Sequence, residues 1–151
     1  MQIAVIGAGS WGTTLADLLA RNGHEVRIWA YEPEVVETIN RDHVNQMFLA
    51  DSRIAESVLA VPHLAEAVRG AELVVSAAPS HAVRDVSQTI AGALDGDLPP
   101  TVVSVSKGLE TDSLKIMTEV LGETLPASDQ VPNPASRLRS DVHSARLHFP
   151  L

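Results

Sequence analysis

Short apolar runs alternate along this chain with segments whose apolar residues recur at helical spacing. The strand-like runs cover residues 3–6, 26–29, 58–61, 73–77 and 102–105. Runs of this length without internal alternation are typical of parallel strands that are buried on both faces. Strands separated by helical segments imply right-handed crossovers. The pattern therefore predicts an α/β fold with a doubly wound parallel sheet of five strands and helices on both faces.

Five helices are predicted between and after these strands, over residues 11–22, 34–41, 62–69, 80–93 and 112 or 113 to 121. Gly23 is a suitable C-cap for the first helix, and Pro62 is suited to open the third. Asp112 or Ser113 is predicted to cap the last helix, and Gly122 to end it. Residues 42–56 show only weak periodicity and are expected to form a loop. The strand order does not follow from periodicity.

The character of the chain changes after Pro126. Residues 127–151 contain Pro132, Pro134 and Pro150 with scattered charges and no apolar stripe. This composition predicts a disordered or loosely attached tail, with a basic arm that binds a partner as the alternative. Since 151 residues suffice for one domain with a real core but hardly for two, we expect a single domain over residues 1–126.

Composition and charge exclude several kinds of site. The formal net charge is −8 and the first 126 residues hold no Lys/Arg cluster, which argues against nucleic acid as a partner. The absence of cysteine excludes disulfides and thiolate metal sites, and no two of the 6 histidines have metal-ligand spacing on a helix. No apolar stretch is long enough to span a bilayer, and the N-terminus is unlike a signal peptide. We therefore expect a cytoplasmic protein with no metal.

A glycine-rich loop lies between the first predicted strand and the first predicted helix. Residues 7–12 read G-A-G-S-W-G and match the pattern G-x-G-x-x-G. In that context Gly7 permits the tight turn, Gly9 lets the backbone approach a pyrophosphate, and Gly12 lets the helix pack closely on the strands. The helix N-terminus offers free N–H groups and a positive dipole end to phosphates. The loop predicts a Rossmann-type dinucleotide-binding domain, with a ligand-free glycine turn as the alternative.

The end of the second strand bears on the choice of cofactor. Many NAD enzymes place an acid there to hold the adenosine ribose hydroxyls. Ala30 occupies the expected position and cannot do this, whereas Glu32, two residues later, is a candidate. The alternative for Glu32 is an ordinary surface acid. Neither Arg nor Lys occurs at residues 30–32 to receive a 2′-phosphate, and Glu32 would repel one, so these residues favour NAD over NADP.

Lys107 follows the fifth strand, at the carboxyl edge where doubly wound sheets bind ligands. Its ammonium can act as a point charge for a phosphate or a carbonyl oxygen. Gly108 would let a ligand come close to the backbone. The alternative is a solvated lysine at the end of a strand. His81, in the turn after the fourth strand, is more typical of an exposed residue than of a ligand.

Five sequence blocks occur in order and with compatible spacing along residues 1–126. They are G-A-G-S-W-G-T-T-L-A from Gly7, V-R-I-W-A from Val26, N-x-x-F-L from Asn45, A-A-P-S-H-A from Ala77 and S-K-G-L-E from Ser106. Together they resemble the N-terminal NAD-binding domain of the bacterial NAD(P)-dependent glycerol-3-phosphate dehydrogenase family. The resemblance implies hydride transfer between NAD(P)H and dihydroxyacetone phosphate, which yields sn-glycerol 3-phosphate for phospholipid synthesis.

The resemblance also implies roles for individual residues. Lys107 would contact both the cofactor and the phosphorylated substrate, with Gly108 beside it. Relatives often carry Arg or His where this chain has Tyr31 and Glu32, at the adenosine end, so both NAD and NADP stay open. The other positions implied to contact the cofactor are Gly7, Gly9, Ser10, Trp11, Gly12, Phe48, Pro79 and Ser80.

In the family the chain continues with a G-P-S-F-A motif and a helical domain that carries the proton-transferring lysine. Neither is recognisable after Pro126. We therefore predict no catalytic residue in this chain, and a truncated protein that binds cofactor but turns over poorly. The alternatives are a stand-alone dinucleotide-binding or sensing module and another two-domain dehydrogenase, such as a 6-phosphogluconate or hydroxyacyl-CoA dehydrogenase. The S-K-G-L-E block counts against the last. An uncovered sheet edge would favour a homodimer or aggregation.

Overall fold

Strands and helices alternate along the chain, as the hydrophobic pattern predicts. In the computed structural model, which describes residues 1–94 and 101–125, the elements are β1 (Gln2–Ile6), α1 (Ser10–Arg21), β2 (Glu25–Trp29), α2 (Pro33–Asp42), β3 (Val44–Asn45), β4 (Leu49–Arg53), β5 (Val58–Val61), α3 (Leu64–Val68), β6 (Leu73–Ser76), α4 (Val83–Ala93), β7 (Thr101–Ser104) and α5 (Met117–Thr124). A 3-10 turn at Ser80–Ala82 precedes α4. The five strands expected from the sequence are all present.

The main sheet has the order β5-β2-β1-β6-β7, and all its neighbouring strands are parallel. From β1 the chain builds outward to β2 and β5, and then crosses back to β6 on the other side of β1. At the carboxyl end of β1, Ile6 is in register with Trp29 on one side and with Ser76 on the other. The direction of winding therefore reverses between β1 and β6, where doubly wound sheets open a crevice for ligands.

Both faces of the central strand β1 are buried from Ile3 to Ile6, which explains why this strand is a continuous apolar run. Ile3 and Val5 pack in the cluster that contains buried residues of α1 and α2, whereas Ala4 and Ile6 pack in the cluster that contains buried residues of α3 and α4. Alternate residues of a strand point to opposite faces, so a strand covered on both sides needs apolar residues throughout. The prediction of a doubly wound α/β fold is confirmed.

The loop expected over residues 42–56 contains an antiparallel hairpin of β3 and β4. Four of the five residues of β4 are exposed. A two-stranded ladder is held by backbone hydrogen bonds and buries little, so it leaves only a weak hydrophobic pattern in the sequence.

The third helix is also shorter than predicted, since it begins at Leu64 rather than at Pro62. Gly23 follows the first helix with a φ of 84°, as its role at the C-terminus predicts.

The last helix begins later than predicted, and the expected start and stop residues were wrong. Ser113 does not cap a helix; its hydroxyl donates to the carboxylate of Glu110 within a tight turn. Leu114 has a φ of 57°, in the left-handed region, so no right-handed helix passes through it. The Glu119 carboxylate instead accepts the Ile116 N–H at 3.1 Å and caps α5. Gly122 lies inside α5, which continues to Thr124.

The tail predicted over residues 127–151 lies outside the described residues, so its expected disorder stays a prediction. Within residues 1–94 and 101–125 no helix is long and apolar enough to cross a membrane.

Candidate functional site

The glycine loop joins the end of β1 to the start of α1 at the carboxyl edge of the sheet. Gly7 has a φ of 114°. A Cβ on it would lie 2.9 Å from the carbonyl carbon and oxygen of Ala77, the first residue after the neighbouring strand β6. A Cβ on Gly12 would overlap the carbonyl oxygen of Gly7. Both glycines are therefore required by the packing of the loop against its neighbours, whether or not a ligand binds.

Gly9 is different, because a Cβ at this position would meet no protein atom within 4 Å. Its φ of −65° is open to any residue. Gly9 precedes the first turn of α1, which carries no acidic residue and no side-chain cap. The first N–H groups of a helix lack intrahelical acceptors, so this opening combines free backbone donors with a positive helix terminus. The fold leaves room at Gly9 that an approaching anion could use.

A buried polar cluster ties the β3–β4 hairpin to the glycine loop. Asn45 and Thr13 are both 0% exposed. The Asn45 Nδ2 donates to the Ala8 carbonyl and to the Thr13 hydroxyl, each at 2.8 Å. The Asn45 Oδ1 accepts the Phe48 N–H at 3.1 Å, and the Ser10 hydroxyl donates to the Phe48 carbonyl at 2.7 Å. These contacts hold the Phe48 backbone beside the start of α1, close to the opening at Gly9.

Sequence reasoning used Asn45 only as part of a resemblance and missed its role as the centre of this cluster. Its partners Ala8 and Thr13 lie 37 and 32 positions earlier in the chain. No local pattern marks such a residue, since its burial is created by the hairpin folding back over the loop.

The carboxyl end of β2 forms one flank of the crevice. Ala30 is buried and its N–H donates to the Val61 carbonyl at 3.3 Å, so it presents no side chain to a ligand. Tyr31 is 80% exposed, and Glu32 is partly exposed at the start of α2 with no capping hydrogen bond. Trp29 packs edge-on to the Tyr31 ring and donates its indole N–H to the Pro62 carbonyl at 3.1 Å. Tyr31 and Glu32 are therefore free to meet a ligand, and their cofactor roles stay predictions.

The opposite flank consists of the turns that follow β6 and β7, and the structure brings them together. Gly108 has a φ of 112°, and a Cβ on it would lie 3.3 Å from the Ser80 hydroxyl oxygen. Pro79 and Lys107, the neighbours of these two residues, are exposed. The predicted residues Pro79, Ser80, Lys107 and Gly108 thus share one corner of the sheet, across β1 from Tyr31 and Glu32. Their contacts with a ligand stay predictions.

An ion-pair network that was not predicted connects the segment just after Gly108 to helices α4 and α5. The Arg84 guanidinium on α4 binds both carboxylate oxygens of Glu110, at 2.6 and 2.7 Å, and also reaches Glu123 on α5 at 3.0 Å. The Arg84 guanidinium, and after it the Ser113 hydroxyl, lower the pKa of Glu110 from its ordinary value of 4.5 to about 2. Lys115 and Arg84 lower the pKa of Glu123 as well. The network is therefore fully charged at neutral pH.

Trp11, in the first turn of α1, is 57% exposed, and Phe48, whose carbonyl accepts the Ser10 hydroxyl, is 38% exposed. His81 is exposed in the turn before α4. Among the residues that the structure describes, no group of three or more His, Cys, Asp or Glu side chains could hold a metal ion. The groups available at this edge are thus backbone donors, the Lys107 ammonium, the Glu32 carboxylate, hydroxyl groups and exposed aromatic rings.

Comparison with known proteins bears on what this edge binds. Residues 2–133 match the family model for the N-terminus of NAD-dependent glycerol-3-phosphate dehydrogenase. Among curated proteins, a glycerol-3-phosphate dehydrogenase [NAD(P)+] from Citrifermentans bemidjiense is 46% identical over 125 residues, which cover 83% of this chain and 37% of the relative. One from Lactiplantibacillus plantarum is 40% identical over 126 residues, with the same shares covered.

Among solved structures, glycerol-3-phosphate dehydrogenase from Coxiella burnetii is similar with a TM-score of 0.74 at 32% identity. The match covers 82% of this chain and 37% of that one. The chain thus spans little more than a third of the length of these relatives. The matches confirm the resemblance that the five sequence blocks indicated.

Proposed function

This chain belongs to the NAD-dependent glycerol-3-phosphate dehydrogenase family, whose N-terminal domain it matches, and we propose its function on that basis. The chain binds NAD or NADP across the carboxyl edge of its sheet, as the cofactor-binding part of an oxidoreductase. The observation that supports this most directly is the glycine loop. Gly7 and Gly12 are required by packing, whereas Gly9 faces open space at the start of α1.

We assign the two halves of the dinucleotide to opposite sides of β1, as in other doubly wound folds, where the end of the second strand meets the adenosine ribose. The pyrophosphate lies at Gly9 and the first turn of α1, with Ser10, Trp11 and Phe48 around it. The adenosine half extends over β2 towards Tyr31 and Glu32. The nicotinamide half extends over β6 and β7 towards Pro79, Ser80 and Lys107. Since Glu32 would repel a 2′-phosphate, NAD is favoured over NADP.

The reaction that we propose for the whole protein is the one in the names of its relatives, with dihydroxyacetone phosphate and glycerol 3-phosphate as the substrate pair. A bound nicotinamide would supply or accept the hydride. Lys107, exposed beside Gly108, would hold the substrate phosphate or carbonyl oxygen as a point charge. The Gly108 backbone allows close approach to that corner.

Fluorescence titration with NADH tests the binding site. We expect Gly9→Asp and Gly12→Val to abolish binding and Lys107→Ala to keep most of it. Gly9→Asp is the sharper variant, because a Cβ there would meet no protein atom within 4 Å, so we expect the fold to stay intact while the carboxylate obstructs the pyrophosphate. Gly92→Asp is the matched control, since Gly92 in α4 also faces open space but lies away from the crevice. Equal NADH affinity for wild type and Gly9→Asp would contradict the site.

A stand-alone dinucleotide-binding module without catalysis is the second candidate. Acid–base help and substrate orientation supply much of a hydride-transfer rate, and the exposed Lys107 is the one charged side chain of this chain that we assign to the substrate. We therefore expect this chain to bind NADH but to oxidise it slowly when dihydroxyacetone phosphate is added. Sustained oxidation above background, lost in Lys107→Ala, would exclude the pure binding module.

We also propose that the protein works in the cytoplasm, and a homodimer is its proposed assembly. Exposed apolar side chains at Val103, Leu109 and Ile116 on the β7 side of the sheet support self-association. Cell fractionation tests the first point. Size-exclusion chromatography with light scattering tests the second, and a monomer at all concentrations would contradict it.

A further inference from the structure

Three successive contacts join the segment after β7 to the segment after β6 and to the start of α4. The Ser106 hydroxyl donates to the Ala78 carbonyl at 2.6 Å. Two residues further along both segments, Gly108 lies directly against Ser80, where a side chain would be in tight contact with the hydroxyl. Lys107 sits between these two contacts, so the position of its backbone depends on both.

The third contact is the ion pair between Arg84 on α4 and Glu110. Its two parallel hydrogen bonds, at 2.6 and 2.7 Å, make it a bidentate pair, which has a fixed geometry. The Glu110 side chain is 17% exposed and that of Arg84 31%, so both are largely withdrawn from solvent. Arg84 also binds Glu123 on α5, so the pair anchors the segment to two helices at once.

Backbone strain explains why this segment needs an anchor. Leu114 has a φ of 57° although its side chain is 72% exposed and gains little from burial. Left-handed conformations of non-glycine residues persist only where the surroundings enforce them. The Glu110 N–H donates to the Lys115 carbonyl at 2.9 Å, and the Leu114 N–H to the Glu110 carbonyl at 2.8 Å. Glu110 is therefore the residue through which the helices hold this turn.

We propose that Arg84 and Glu110 form a positioning pair that fixes Lys107 and Gly108 against the Pro79–Ser80 turn, so that both turns present one rigid surface to the nicotinamide half of the cofactor. The inference rests on the proposed function. The pair itself does not touch the ligand. It acts on both turns at once, because the backbone on either side of Lys107 rests on Ala78 and Ser80, so its loss should disturb more of the nicotinamide contacts than removal of the Lys107 ammonium alone.

The opposite half of the site is held by other contacts. The glycine loop is fixed by Asn45 and Thr13, and Phe48 by Ser10 and Asn45. No hydrogen bond or ion pair among the described residues joins that cluster to Arg84 or Glu110. Loss of the pair should therefore weaken contacts at the nicotinamide end and leave the pyrophosphate and adenosine contacts unchanged.

Calorimetric titration of this chain with NADH and with ADP-ribose tests the inference, because ADP-ribose lacks the nicotinamide. We expect wild type to bind NADH more tightly than ADP-ribose. Glu110→Gln, which removes the charge and keeps the size, should lower NADH affinity about tenfold, because it misplaces the polar contacts of both turns and not the Lys107 ammonium alone. Its affinity for ADP-ribose should stay within about twofold. Arg84→Lys, which keeps the charge but not the bidentate geometry, should act in the same direction.

Glu56→Gln is the matched control, because it removes the same charge from the exposed Arg53–Glu56 pair and should change neither affinity. ADP-ribose binding shows in each case that the variant is folded. If wild type binds NADH but Glu110→Gln and Arg84→Lys leave its affinity unchanged, or lower both affinities equally, the positioning role is wrong while the proposed function stands. If wild type binds neither ligand, the proposed function fails and the inference with it.

Discussion

The buried tie between the hairpin and the glycine loop can be tested with Thr13→Val, which removes one hydroxyl and nearly preserves the shape of the side chain. The Thr13 Oγ1 accepts an Asn45 Nδ2 hydrogen at 2.8 Å and donates to the Ala8 carbonyl at 3.2 Å. Valine leaves one amide hydrogen of Asn45 without an acceptor. Because Asn45 is 0% exposed, water cannot replace that acceptor unless the hairpin moves.

A buried donor left unpaired costs about 1–3 kcal/mol. The added methyl group recovers up to about 0.8 kcal/mol of hydrophobic free energy. Full recovery leaves an expected loss in the free energy of unfolding of about 0.2–2 kcal/mol for Thr13→Val, centred on about 1 kcal/mol. The Ala8 carbonyl keeps its stronger bond from Asn45 at 2.8 Å, so no second group is left unpaired.

Urea unfolding followed by circular dichroism measures the loss, and the neighbouring threonine supplies the control. Thr14 is exposed on the same helix, and its hydroxyl donates to the Ser10 carbonyl at 2.8 Å. Water can satisfy that carbonyl, so Thr14→Val should change the free energy of unfolding by less than about 0.5 kcal/mol. If Thr13→Val costs no more than Thr14→Val, then Asn45 does not depend on the Thr13 hydroxyl and the account of the tie is refuted.

Two further predictions concern the last helix and the ion pair. Gly122→Ala should raise the free energy of unfolding by about 0.5–1 kcal/mol, because Gly122 lies inside α5 and a methyl there meets open space; a loss in urea unfolding would contradict that packing. The pKa of Glu110 is about 2 in the fold, below its ordinary 4.5, so its ion pair stabilises the fold fully above pH 4.5 and is lost as the pH falls through 2. The difference in Tm between wild type and Glu110→Gln should therefore be constant from pH 5 to 8 and shrink below 4.5; a difference that grows with acid would refute this assignment.

Much of the fold could be predicted because its signals are local. The run Ile3–Ile6 is apolar throughout since both of its faces are covered, and that requirement is visible in the residues themselves. The glycine loop was equally visible, because Gly7 and Gly12 are required wherever a strand turns this tightly into a helix. The predicted ends of the last helix were wrong because other nearby residues took the expected roles. Ser113 and Gly122 have the right chemistry for helix ends, but Ser113 binds Glu110 and α5 is capped by Glu119 instead.

The sequence by itself determined the alternation of strands and helices, the place of the glycine loop and the position of Lys107 after the last strand of the sheet. These features depend on hydrophobic period and backbone freedom, which act over a few neighbouring residues. Only the tertiary structure decided the strand order, the Asn45–Thr13 tie and the Arg84–Glu110 pair. Those partners lie 26 to 32 positions apart, and each is paired only because the crossovers bring distant segments to the same edge of one sheet.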